Sequence, residues 1–151
     1  MLRGTVALAR LERVLPALSS PEGELQVQLE LGRDPDGTRF LAGSISGTVE
    51  LQCQRCLEPM SRSLNLEFRL GIVQSQADAG RLHESYEPML VGSEPTAIVD
   101  IVSDEVLLAL PLVPAHADNS KCYEFVKNYQ PEQQAERENP FAMLAELKQK
   151  L

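Results

Sequence analysis

The stretch that decides the fold is residues 45–72, "ISGTVELQCQRCLEPMSRSLNLEFRLGI". Apolar and polar residues alternate on both sides of the central "CQRC", a pattern typical of half-buried β-strands. Two such strands joined by residues 54–61 predict an antiparallel hairpin with Cys53 and Cys56 at its tip. Two cysteines separated by two residues occur in metal sites, in redox pairs and in ordinary turns, so the rest of the sequence has to discriminate.

The remaining cysteine could complete a metal site. Zn²⁺ prefers sulfur and imidazole ligands in a tetrahedron, and a CxxC turn presents two thiolates to one ion. Pro111 and Pro114 stiffen a later segment that carries a histidine and the third cysteine. One candidate interpretation is therefore a structural zinc site that would join the exit of a helix to the hairpin tip. Its candidate ligands are Cys53, Cys56, His116 and Cys122.

Two alternatives to zinc remain open from the sequence. A thioredoxin-type redox pair requires its motif at a strand-to-helix junction, where the helix N-terminus lowers a thiol pKa. Here a strand follows, which disfavours redox chemistry. The second alternative is three ordinary reduced cysteines, with Cys53 continuing the buried alternation as a small apolar residue.

The other elements are predicted from the same two periodicities. Helical spacing predicts an amphipathic helix over residues 5–18 and a second one near residues 97–110, which Pro111 ends. Alternation predicts a strand over residues 24–31. A short last helix is predicted after Asn139 and Pro140, and it contains Phe141, Leu144 and Leu147.

These elements together predict an α+β fold. The expected architecture is an antiparallel sheet, open or barrel-like, with the CxxC hairpin and with the N-terminal helix and the 97–110 helix packed on it. Residues 1–127 are predicted to form a single domain, and residues 128–151 a flexible linker with the short C-terminal helix.

Composition indicates a reduced, cytoplasmic location. The number of cysteines is odd, and charged residues interrupt the N-terminal twenty residues, so neither a disulfide framework nor a signal peptide is expected. No run approaches the roughly 18 apolar residues that a membrane helix needs. The sequence also contains none of the signatures GxGxxG, GKS/T, GxSxG or HExxH, and His83 is interpreted as a surface loop residue, so no enzymatic activity is expected.

The charge distribution indicates two different surfaces. The net charge is −8, and residues 84–138 carry eleven acidic but only three basic residues. This region is either a solvated acidic face or a surface for a basic protein partner, and it would repel phosphate. Aromatic residues make up only 5% of the chain, so stacking platforms for RNA are scarce. The candidate RNA or partner contacts are Arg10 and Arg13 in the first helix and Arg55, Arg62 and Arg69 around the hairpin.

Four blocks resemble the bacterial YceD family, the large ribosomal RNA subunit accumulation proteins. They are "LQCQRCLEPM" (51–60), "YEPM" (86–89), "DIVSDEVLLALPLVPAH" (100–116) and "NPFAMLAELK" (139–148). Some members of the family look richer in cysteine, with a second pair after the helix, where this chain keeps His116 and Cys122.

The resemblance implies a non-enzymatic factor that supports 23S ribosomal RNA synthesis, processing or stability during large-subunit biogenesis. The partner we expect is a basic ribosomal protein, held by the acidic region of residues 84–138, or an assembly intermediate of the large subunit. The resemblance adds that the family's gene usually neighbours that of a small ribosomal protein of the large subunit. The alternatives are a direct RNA-binding module and a small zinc-stabilised interaction domain for a basic ribosomal protein.

Overall fold

The computed structural model describes residues 1–117 together with Cys122, Glu124 and Lys127. The linker predicted over residues 128–139 and the C-terminal helix predicted from Pro140 lie outside these described residues. Among the described residues, no helix is long and apolar enough to cross a membrane.

A five-stranded sheet forms the centre of the fold. Its strands follow one another in the order β1 to β5. The first four pair antiparallel, and β5 pairs parallel to β4. The α+β class is confirmed, but the sheet is mixed and is not closed into a barrel. The strands are β1 Leu2–Ala7, β2 Glu24–Arg33, β3 Arg39–Gln52, β4 Pro59–Val73 and β5 Glu87–Leu90.

The parallel pairing of β5 explains why a purely antiparallel sheet was the wrong expectation. A parallel neighbour requires a crossover of a dozen or more residues. Residues 74–86 supply it, including the short helix α1 (Gln76–Ala79), which Ser75 caps through its side chain. The crossover is fixed at its far end because the Tyr86 hydroxyl donates to Asp34 Oδ2 at 2.9 Å.

The helix predicted over residues 5–18 is wrong. Residues 2–7 form strand β1, and two 3₁₀ turns follow, Leu8–Arg10 and Leu15–Ala17. The buried side chains Leu8, Leu11 and Val14 recur every third residue, a spacing that suits 3₁₀ geometry as well as an α-helix. Pro16 lacks the N–H that a continuing α-helix would need.

Helix α2 (Ile98–Ala109) covers the inner face of the sheet and ends just before Pro111. Its buried side chains are Val102, Ser103 and Val106, and the two valines join the same apolar core as Leu64 of β4. The buried Ser103 hydroxyl is satisfied because it donates to the Val99 carbonyl at 2.7 Å. The helix therefore fixes where the chain emerges at Pro111, beside the tip of the β3–β4 hairpin.

Candidate metal centre

The two cysteines of "CQRC" lie in a tight knuckle between β3 and β4, whose last pair is Gln52 with Pro59. Two backbone hydrogen bonds of 2.9 Å close the turn: the Leu57 N–H donates to the Cys53 carbonyl, and the Cys53 N–H donates to the Glu58 carbonyl. Leu57 has a φ of +62°, the left-handed region that favours glycine. The turn leaves the Cys53 sulfur facing backbone donors, and the Arg55 N–H lies 3.4 Å from it.

The segment after α2 is tied to this knuckle by its backbone. The Gln54 N–H donates to the Pro114 carbonyl at 2.8 Å, and the Gln54 side-chain amide reaches the Leu112 carbonyl at 3.5 Å. These contacts bring His116 against the second cysteine. The His116 Nδ1 atom lies 3.4 Å from the Cys56 sulfur.

Cys122 completes the group, with its sulfur 3.5 Å from the Cys53 sulfur. The four ligand atoms of Cys53, Cys56, His116 and Cys122 all lie within 4.8 Å of one another, and none of the cysteines is in a disulfide. In a tetrahedral site with Zn–S near 2.3 Å and Zn–N near 2.0 Å, neighbouring ligand atoms are roughly 3.5–3.8 Å apart. The structure thus brings the four sequence-predicted ligands close enough together to bind one metal ion.

The thiol pKa values of Cys53 and Cys122 are shifted in opposite directions. Burial raises the pKa of the Cys53 thiol, but hydrogen bonds from the backbone N–H groups of Cys56, Arg55 and His116 outweigh it and lower that pKa to well below its ordinary value. Burial, together with the neighbouring thiols of Cys56 and Cys53, raises the pKa of Cys122. The backbone donors thus favour the ionised form of the Cys53 thiol, whereas burial and the neighbouring thiols disfavour that of Cys122.

The five candidate arginines do not gather on one surface. The Arg13 guanidinium pairs with Asp104 of α2 at 2.5 Å, on the helix side of the sheet. The Arg69 guanidinium stacks over the rings of Phe40 and Tyr86, at 4.8 and 5.2 Å from their centroids, on the opposite side. The other three, Arg10, Arg55 and Arg62, have exposed side chains.

Sequence reasoning missed the residues that build the knuckle from its backbone. Gln54 supplies the bond to Pro114, and Leu57 supplies the left-handed turn. A glycine at position 57 would have signalled the turn, but a leucine gives no such signal.

The fold is of the α+β class and contains one five-stranded sheet. Three cysteines and a histidine lie together at the tip of one hairpin. These features define a small protein with a candidate structural metal centre. The family described as "Large ribosomal RNA subunit accumulation protein YceD" matches residues 41–148. A relative of that name from Haemophilus influenzae is 36% identical over 151 residues, covering 97% of this chain and 87% of the relative. The chain therefore belongs to the YceD family, as its four sequence blocks indicated. No solved structure matched it.

Proposed function

We propose that this protein is a non-enzymatic cytoplasmic factor that supports the accumulation of 23S ribosomal RNA during biogenesis of the large ribosomal subunit. The observation that carries this proposal is membership, through residues 41–148, of a family named for large ribosomal RNA subunit accumulation. The relative that bears the same name matches nearly the whole chain, including the hairpin and α2.

The metal centre has a structural role in this proposal. Cys53, Cys56, His116 and Cys122 would supply four protein ligands to one Zn²⁺, which leaves no open position for a catalytic water. The ion would join the hairpin tip to the segment after α2, and these two parts of the chain are far apart in sequence. Its contribution is therefore to hold the shape of one end of the molecule.

The acidic region supports a basic protein partner. Its carboxylates in β5, in α2 and in the loops before them are solvent-exposed, so they remain available to lysine and arginine side chains. The exposed members are Glu84, Glu87, Glu94 and Asp100, whereas the exposed Asp104 is paired with Arg13. We propose a basic ribosomal protein as the partner for this surface. Arg10, Arg13, Arg55, Arg62 and Arg69 are the proposed contacts to RNA or to an assembly intermediate.

Deletion and complementation test the function. In bacterial cells lacking the gene, the ratio of 23S to 16S ribosomal RNA should fall, and the intact gene should restore it. The His83→Ala variant should restore it equally, since that exposed histidine lies outside the metal centre. An unchanged ratio of 23S to 16S ribosomal RNA in the deleted strain would contradict the proposal.

A second experiment separates a protein partner from RNA. The tagged protein is recovered from lysate with and without ribonuclease treatment. A basic ribosomal protein that remains bound after the treatment supports the protein partner, and its release should follow added salt because exposed charges are screened. Loss of all partners with ribonuclease would favour direct RNA binding instead.

Purified protein with Mg²⁺ or Mn²⁺ should leave a precursor transcript intact, and cleavage would contradict the non-enzymatic proposal.

A further inference from the structure

An open groove of about 410 Å³ lies at the end of the sheet, where the turn between β2 and β3 meets the crossover after β4. Two of the residues that line it are basic, Arg39 and Arg81, and both have exposed side chains. Thr38 and Gln74 line it as well, and their side chains add further hydrogen-bond donors. The lining of this groove therefore offers positive charge and donors to solvent.

Arg33 adds a third positive charge beside Arg39. The two arginines are directly opposite each other in the pair that ends the β2–β3 ladder, and like charges in that position destabilise a sheet. Within the part of the chain that the structure describes, Arg33, Arg39 and Arg81 form no ion pair and stack on no aromatic ring. The fold thus carries an electrostatic cost here that a bound anion would remove.

The carboxylates nearby have hydrogen-bond partners of their own. Asp78 also lines the groove, and its carboxylate accepts a hydrogen bond from the Ser75 hydroxyl at 2.5 Å. Asp34, in the turn, accepts from the Tyr86 hydroxyl at 2.9 Å. Asp36 is exposed and lies outside the groove lining. Among the described residues, none of these three carboxylates forms an ion pair with an arginine of the groove.

The chemistry of the lining selects phosphate among the anions. Residues 1–117 contain arginine but no lysine, and the planar guanidinium group matches the oxygens of a phosphate with two parallel hydrogen bonds. No aromatic residue is among those described as lining the groove, so it offers no surface on which a base could stack. A groove of this kind contacts a nucleic-acid backbone and does not read its sequence.

We propose that this groove binds phosphodiester groups of RNA, with Arg39 and Arg81 on the phosphate oxygens and with Arg33 adding to the attraction. The inference rests on the proposed function, which supplies ribosomal RNA as the polyanion. It concerns three arginines that are not among the five candidate contacts given above. The groove is also remote from the metal centre, because β3 runs roughly 40 Å from Arg39 to the cysteine knuckle.

Salt-dependent binding of a short fluorescent oligouridylate to the purified full-length protein tests this contact. Fluorescence anisotropy gives the affinity at a series of KCl concentrations. For a single strand, each phosphate contact contributes roughly 0.7 to the slope of log affinity against log salt. Arg39→Gln and Arg81→Gln should each reduce the slope by about that amount. Each should also weaken binding about threefold, the usual effect of losing one exposed ion pair.

Two controls separate a phosphate contact from a change in net charge or in folding. Arg3→Gln makes the same charge change at an exposed residue of β1 outside the groove, so it should leave the slope unchanged. Arg39→Gln removes the like-charge pair with Arg33, so its urea midpoint should not fall although its RNA binding weakens.

Three results would overturn the proposal. The first is no binding of oligouridylate to the unmodified protein, and the second is an equal loss in Arg3→Gln, Arg39→Gln and Arg81→Gln. The third is displacement of the oligouridylate by lower concentrations of oligoglutamate, which would show that the groove takes an acidic polypeptide. Binding is measured on purified protein and the ratio of 23S to 16S ribosomal RNA in cells, so this inference and the proposed function can fail separately.

Discussion

The backbone N–H of Gln54 donates to the carbonyl of Pro114 at 2.8 Å, and this bond joins the cysteine knuckle to the segment that follows α2. Two residues after Pro114, the His116 ring meets the Cys56 sulfur at 3.4 Å. This main-chain hydrogen bond thus helps to position His116 beside the knuckle. Such preorganisation lowers the conformational entropy lost when a metal binds.

Leu57 stores backbone strain in this knuckle. A non-glycine residue at φ +62° costs about 1–2 kcal/mol, and asparagine tolerates that region better than leucine. Leu57→Asn should therefore raise the free energy of unfolding by about 0.5–1 kcal/mol, whereas the β-branched Leu57→Val should lower it by about 1 kcal/mol. Chemical denaturation measures both. Leu112→Asn is the matched control, because Leu112 is also exposed but has no positive φ; an equal gain there would show that strain is not the cause.

Val106 anchors α2 to the inner face of the sheet. It is fully buried in the core that also contains Leu64. Val106→Asp places an unpaired charge in that core and should lower the free energy of unfolding by about 3 kcal/mol or more. Leu108→Asp, two residues along the same helix at a side chain 76% exposed, should have little effect. A thermal midpoint that does not change in Val106→Asp would contradict the packing described for α2.

The strands could be predicted from sequence where the two faces of the sheet have different surroundings. In β2, β3 and β4, one face of the sheet is apolar and buried and the other is polar and exposed, so apolar and polar residues alternate with a period of two in the sequence. The four-residue β5 shows no such alternation, and only its pairing with residues 70–73 of β4 makes it a strand. Leu8, Leu11 and Val14 failed as a predictor of an α-helix because a spacing of three residues also fits successive 3₁₀ turns.

The candidate ligands could be predicted because sulfur and imidazole are chemically distinctive, even though the two halves of the group are remote in sequence. Their geometry could not be. The bond from Gln54 to Pro114 involves only backbone atoms, so it leaves no trace in residue type. The arginine positions also required the structure, since Arg13 and Arg69 lie on opposite sides of a sheet.

The Glu105 carboxyl makes the free energy of unfolding depend on pH, and the direction of its pKa shift gives the sign. Partial burial, with the nearby charges of Glu87 and Asp104, raises its pKa in the folded protein. The unfolded chain therefore loses this proton at lower pH, and stability falls as pH rises from the unfolded pKa of about 4.3 through the raised folded pKa. Glu105→Gln removes the penalty, so it should raise the urea midpoint at pH 7 but not near pH 4. Asp100→Asn, the same charge change at an exposed residue of α2, is the control. A gain that is equal at both pH values would show that the raised pKa of Glu105 is not the cause.

The metal centre makes the sharpest prediction. Native mass spectrometry of protein prepared without chelator should show about one zinc per chain, because the four ligand atoms lie within 4.8 Å of one another and sulfur with imidazole is a donor set that Zn²⁺ prefers. Cys56→Ser and Cys122→Ser should each lower the zinc occupancy, since they remove ligands from opposite halves of the group. His116→Ala should do the same, while His83→Ala, outside the group, should not. Chelation should speed hydrogen exchange in the knuckle and in residues 111–116 but spare β2 to β4, whose inner face has its own apolar core. If the protein is metal-free, melts at the same temperature with and without chelator, and reacts with a thiol reagent at Cys56, then the knuckle is held by its backbone alone.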